Sequence, residues 1–272
     1  MDKILEKIKQ FATQHDAIHT AVLNGSRCND KVKQDAYQDY DVWFLVDEPK
    51  AFIEDDTWLT SFGPILMKQV NVEAREEKTY IFCLVLFESG VRIDFSFSAL
   101  ASFNGEIKDS LSKVLLDKKG ILPNLKQPSD QAYWIQKPSQ SVFQKTSNNF
   151  YWCLTNMAKG LARGEVPYYK GMLEQVIRPE LLKMIRWHIG IKHNWQVNLG
   201  SFDKWLENYL EKPLYNRYLK TYVNHAVKQN WQVLFDMHAL FSDIAIPLAK
   251  ALNMPFDQSE SQNVLTMIKS MK

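Results

Sequence analysis

Apolar residues recur at helical spacing from the first turn of the chain. Ile4, Leu5, Ile8, Phe11 and Ala12 fall on one face of residues 2–15, and Asp2 stands where a helix N-cap is needed. The next apolar run, Thr20-Ala21-Val22-Leu23, is short and ends in Asn24-Gly25-Ser26, the pattern of a buried strand entering a turn. Asp41–Val46 has strand texture up to Pro49. Thr79–Phe87 and Val91–Phe97 are stronger strand candidates, and the brief link Glu88-Ser89-Gly90 between them suits an antiparallel hairpin. Ile65–Val72 adds one more strand candidate.

Beyond about residue 139 the period changes from strand to helix. Ser141–Leu161, Leu173–Ile191, Phe202–Leu210 and Trp231–Ala251 are predicted helices. In the last of these, Trp231, Leu234, Phe235, His238, Phe241 and Ala245 form a stripe whose expected role is packing. Pro179 and Pro247 predict kinks or helix ends. Lys118–Ser139, punctuated by Gly120, Pro123, Pro128 and Pro138, reads as a crossover between the two textures. The expected fold is therefore α+β: a mixed sheet with helices over residues 1–135, then an all-helical domain over 136–272.

Composition narrows the function classes. The chain has 272 residues, 46% of them hydrophobic, which supports one large or two modest cores. Its net charge is only +2, from 33 basic and 31 acidic residues, whereas binding polynucleotide phosphates needs a clear basic excess. A nucleic-acid partner is not expected. Cys28, Cys83 and Cys153 contain no Cys-x-x-Cys pair, so buried free thiols are expected rather than disulfides or structural zinc. The N-terminus is charged from Asp2 onward, and no stretch approaches the roughly 20 apolar residues that cross a bilayer. The expectation is a soluble, cytoplasmic protein without a membrane partner.

Three short elements carry the candidate chemistry. Gly25-Ser26-Arg27 follows a strand, where backbone amides, a hydroxyl and a cation can approach a phosphate; the same letters also make an ordinary turn. Asp39-Tyr40-Asp41 opens the next strand. Alternation points both carboxylates one way, and a divalent cation such as magnesium relieves their repulsion, although solvated acids are the commoner outcome for the pattern alone. Asp94 lies mid-strand, with Arg92 and Ser96 on its own face and Ile93 and Phe95 on the core face. A carboxylate there needs a solvent cavity or a Lys or Arg partner.

In that order along the chain, the three elements resemble the signature of polymerase-β-like nucleotidyltransferases. The wording is closer still to the aminoglycoside 6-adenylyltransferases, also called streptomycin adenylyltransferases. The likeness runs through Leu23-Asn24-Gly25-Ser26-Arg27, Tyr37-Gln38-Asp39-Tyr40-Asp41, Met67-Lys68-Gln69, Ile93-Asp94 and Val114–Lys118. In the helical half it continues through Ala158–Leu161, Arg178–Met184, Trp187–Ile191 and Leu199–Lys204.

That resemblance implies a nucleotidyltransferase domain over 1–135 and a helical substrate-binding domain over 136–272. It implies transfer of AMP from ATP to an aminoglycoside hydroxyl, with Mg²⁺ as cofactor, pyrophosphate as co-product and drug inactivation as result. Asp39 and Asp41 would ligate metal, and Asp94 would be a third ligand or the base. Gly25, Ser26 and Arg27 would hold the triphosphate. A cationic acceptor calls for carboxylates, and Glu174 is the candidate in the helical half. The chain departs from the family pattern at Val70-Asn71-Val72, Gly171 and Ser201, positions that bear on the acceptor. A different hydroxyl acceptor, or a non-catalytic binding module on the same fold, stand as the alternatives.

Overall fold

The structure, a computed structural model, describes residues 2–75 and 78–272. It divides into two compact units, Met1–Ala132 and Tyr133–Lys272. The first is a mixed sheet with flanking helices and the second is helical, the α+β organisation expected from the hydrophobic periods.

In the first unit, helix α1 (Lys3–Gln14) is capped by Asp2, whose carboxylate accepts from the amides of Ile4 and Leu5. The strands are β1 (Ile18–Asn24), β2 (Tyr40–Val46), β3 (Ile65–Arg75), β4 (Lys78–Phe87), β5 (Arg92–Ala99) and β6 (Ser112–Asp117), with a single-turn helix α2 (Ala51–Glu54) after β2. They form one sheet in the order β3-β4-β5-β2-β1-β6. Only β2 and β5 run parallel; every other neighbouring pair is antiparallel. The β4–β5 hairpin and the extra strand at 65–72 are as the sequence suggested, whereas β6 went unread.

Strand alternation sorts the two faces. Val42, Phe44, Ile81, Cys83, Val85, Ile93, Phe95 and Phe97 are buried on one face and pack with Ile8 and Ala12 of α1. Aromatic contacts tie this core together; the Phe52 and Phe97 rings stack 4.7 Å apart. Asp41, Trp43, Phe82, Leu84, Asp94 and Ser96 stand on the opposite face and are all half-buried.

The second unit contains α3 (Gln140–Arg163), α4 (Val166–Gly171), α5 (Arg178–Lys192), α6 (Lys212–Leu219), α7 (Val227–Leu252) and α8 (Gln258–Ser270). Phe150 of α3 and Phe241 of α7 stack at 3.8 Å near its centre. The stripe read on residues 231–245 packs here, and His238 meets the Ser261 carbonyl of α8 at 3.0 Å.

One helical expectation needs correction. Residues 202–210 are not an α-helix but two short 3₁₀ turns, Ser201–Asp203 and Leu206–Asn208. Phe202 and Asp203 both take positive φ, and Arg186 clamps the buried Asp203 carboxylate with two bonds of 2.7 Å. That pairing outweighs the local helical period. Of the prolines, Pro179 falls at a helix end, as expected, and Pro247 is carried inside a helix. Pro179 sits in the first turn of α5, fed by a π-helical stretch, Met172–Ile177, that absorbs the register change. Pro247 lies within α7 on its exposed side.

Candidate active site

The parallel pairing of β2 with β5 puts Asp41 directly opposite Asp94. The antiparallel pairing of β1 with β2 puts Asn24 opposite Asp41 on the other side. Residues in lateral register share a face, so the two carboxylates stand as neighbours on the face that the core leaves open. Asp39 lies just ahead of β2, two residues from Asp41. Asp41 and Asp94 are thus brought side by side from two stretches of chain, with Asp39 on the approach to the first.

Gly25 explains why a glycine ends β1. Its φ is +75°, and a Cβ there would lie 2.4 Å from Oδ2 of Asp41, closer than any side chain permits. Its amide donates to the Leu111 carbonyl at 3.0 Å, fixing the turn between β1 and β6. Ser26 follows, and its hydroxyl oxygen accepts from Gln38 Nε2 at 3.4 Å.

Arg27 is a brace within this turn. Its Nε donates to the Asp39 carbonyl at 3.0 Å and its Nη2 to the Gln38 carbonyl at 2.8 Å. The guanidinium lies 3.6 Å from the centroid of the Tyr40 ring, and Nη1 is 3.5 Å from Asp2 Oδ2. Tyr40 in turn donates its hydroxyl to Asp2 at 2.9 Å. The segment carrying Asp39 is therefore pinned by its backbone, while the Asp39 carboxylate reaches toward Arg92.

The charge balance is uneven. Arg92 makes a two-pronged contact with Asp94, Nε to Oδ1 at 2.8 Å and Nη2 to Oδ2 at 2.7 Å, and its Nη1 lies 3.6 Å from Asp39 Oδ2. Burial, followed by the neighbouring Asp94 and Asp39 charges, pushes the Asp41 carboxyl up to about 6, with Arg92 opposing. The cationic partner considered for Asp94 is thus present, and it is Arg92. Position gave it away: two residues before Asp94 on the same strand face. Among the described residues no cluster of three or more His, Cys, Asp or Glu side chains stands at ligand spacing for a metal. In donor type and excess negative charge, however, the carboxylates fit a hard divalent cation.

A family model for streptomycin adenylyltransferase matches residues 1–271. The chain belongs to that family. An aminoglycoside 6-adenylyltransferase of Campylobacter jejuni is 32% identical over 256 residues, spanning 92% of this chain and 88% of that protein. One from Bacillus subtilis is 29% identical over 256 residues, spanning 92% and 90%. The crystal structure of an aminoglycoside 6-adenyltransferase from Bacillus subtilis, 24% identical, superposes with a TM-score of 0.51 over 100% of this chain and 99% of that one, so the fold is shared. As a streptomycin adenylyltransferase family member, the chain is a nucleotidyltransferase enzyme.

In this family member Glu174 lies in the second unit, on the π-helical stretch. Its carboxylate is gripped by Arg178, with Nε at 2.6 Å and Nη2 at 3.0 Å. Arg178 also donates to the Thr221 hydroxyl at 2.6 Å and lies over the Tyr222 ring. Glu174 is thus ion-paired yet exposed at the surface. The three cysteines are buried free thiols, as expected. No helix among the described residues is long and apolar enough to cross a membrane.

Proposed function

We propose that the chain transfers AMP from ATP to a hydroxyl of a streptomycin-type aminoglycoside, releasing pyrophosphate. The observation that carries the reading is the lateral pair Asp41–Asp94 beside Gly25, in a chain of the streptomycin adenylyltransferase family. The named relatives act on the same drug class by their titles, which supports the acceptor.

In the reaction the acceptor oxygen forms a bond to the α-phosphorus of ATP as the bridging α–β bond breaks. The bond electrons leave with pyrophosphate, and the hydroxyl proton passes to a carboxylate. Asp94, on the β5 side of the pair, is the base in this reading. With Asp94 as the base, Asp39 and Asp41 would hold Mg²⁺, which when bound supplies neutralisation of phosphate charge. Gly25 lets the backbone approach the leaving phosphates without a side chain in the way, and Ser26 offers a hydroxyl beside it. Arg27 acts one step back, holding the Asp39 segment in place. The nucleoside fits a cavity of about 300 Å³ on the same face, bounded by Asn24, Trp43, Ser98, Phe103 and Asp109. The transferred group adds bulk and negative charge to a cationic drug, which opposes its binding to ribosomal RNA.

The test is incubation with α-labelled ATP, Mg²⁺ and a panel of aminoglycosides that includes streptomycin. Label entering the drug with one pyrophosphate per transfer supports the reading. Full retention of label in ATP with every drug rejects it.

A further inference from the structure

We propose that the outer part of the same sheet face, on β4 and β3, recognises the acceptor, with Gln69 and Asn71 as its polar contacts. The inference rests on the AMP-transfer reading above and adds where the acceptor lies. An in-line displacement sets the entering and leaving oxygens on opposite sides of the phosphorus. Gly25 and Ser26 follow β1, so the leaving phosphates lie on the β1 side of Asp41. The entering hydroxyl therefore arrives from the opposite side, over β5 and whatever lies beyond it. The strand order gives what lies beyond: β4, then β3.

The register shows which residues meet it there. Asp94 is level with Leu84 on β4, and Leu84 is level with Gln69 on β3. One row further along, Ser96, Phe82 and Asn71 are level in the same way. Leu84 and Phe82 are half-buried while their neighbours Ile81, Cys83 and Val85 are sealed in the core, so this face is apolar and partly accessible. Gln69 is exposed and Asn71 half-buried at its rim, joined by a 3.2 Å bond from Gln69 Nε2 to Asn71 Oδ1. That bond leaves Gln69 Oε1 to accept and Asn71 Nδ2 to donate, which suits a molecule dense in ammonium and hydroxyl groups.

The span is right as well. Two strand spacings, about 10 Å, separate Asp94 from Gln69. A multi-ring amino sugar with its reacting hydroxyl at Asp94 extends its next ring over Leu84 and reaches the amide pair. A short, neutral hydroxyl compound would not bridge that distance.

The experiment compares wild type with Gln69→Ala/Asn71→Ala, and with Asn71→Asp, using streptomycin as the acceptor. Losing two hydrogen bonds of about 1 kcal/mol each should raise the streptomycin KM about 10-fold or more. The ATP KM should stay within about twofold, and the melting temperature should hold because both side chains are at the rim. Asn71→Asp adds a carboxylate and should lower the streptomycin KM, with an effect that shrinks as salt rises. If wild type is active and neither variant moves the streptomycin KM, the acceptor face alone is overturned. A wild type that transfers AMP to no aminoglycoside takes down the functional reading and this proposal together.

Discussion

Replacing Asp41 by Asn should make the protein more stable at pH 8 while abolishing AMP transfer. The carboxyl is raised from 3.8 to about 6 by burial and by two like charges, with one arginine opposing. A raised acid costs the folded state free energy once it is ionised. Below about pH 4 the group is protonated in both states and the cost vanishes; it grows as pH rises and is complete above about pH 6. A shift of about two units corresponds to about 3 kcal/mol, which partial solvent access reduces to about 2 kcal/mol. Asparagine keeps the shape and removes the charge. The variant should therefore melt about 4–8 °C above wild type at pH 8 without divalent cation, and level with it near pH 4. The assay is thermal unfolding of both proteins across that range, paired with transfer of labelled AMP. A variant that melts at or below wild type at pH 8, or whose advantage persists at pH 4, refutes the charge argument. A variant that still transfers AMP refutes the assigned role of Asp41.

Two further substitutions probe the turn beside it. Gly25→Ala places a methyl 2.4 Å from Asp41 Oδ2 on a backbone at φ +75°, so Asp41 must rotate away. Melting should drop by a few degrees, from about 1–3 kcal/mol of strain, and kcat should fall about 100-fold in steady-state assays. Arg27→Lys keeps the charge but loses the fork onto the Gln38 and Asp39 carbonyls. It should cost about 1.5–3 kcal/mol in denaturant unfolding and lower kcat more than it raises the ATP KM. A raised ATP KM with unchanged stability would instead make Arg27 a direct phosphate contact.

Much of the first unit was legible in the residues, because alternation along 91–97 already separates Asp94 from the core-facing Ile93 and Phe95. Alternation cannot say which strand lies beside which. The level placement of Asp41 and Asp94 comes from a parallel pairing between strands about 50 residues apart, and local pattern holds no trace of such a register. The bracing contacts of Arg27 were hidden for a related reason. Its partners are backbone carbonyls at 38 and 39, which no side-chain motif announces. At 202–210 a helical period was present and misled. A buried carboxylate, Asp203, pulled the chain to Arg186, and tertiary pairing overrode the local preference.

The position of β3 at the rim of the sheet has a consequence for changing what this enzyme modifies. A central strand cannot vary without disturbing partners on both flanks, and β2 also carries Asp41 against Gly25. The rim strand has one hydrogen-bonded neighbour, β4, and side chains at 66, 67, 69, 70 and 72 that are exposed. Selection for new drugs, in a clinic or in a directed-evolution library, can therefore explore β3 freely while the reaction centre stays fixed.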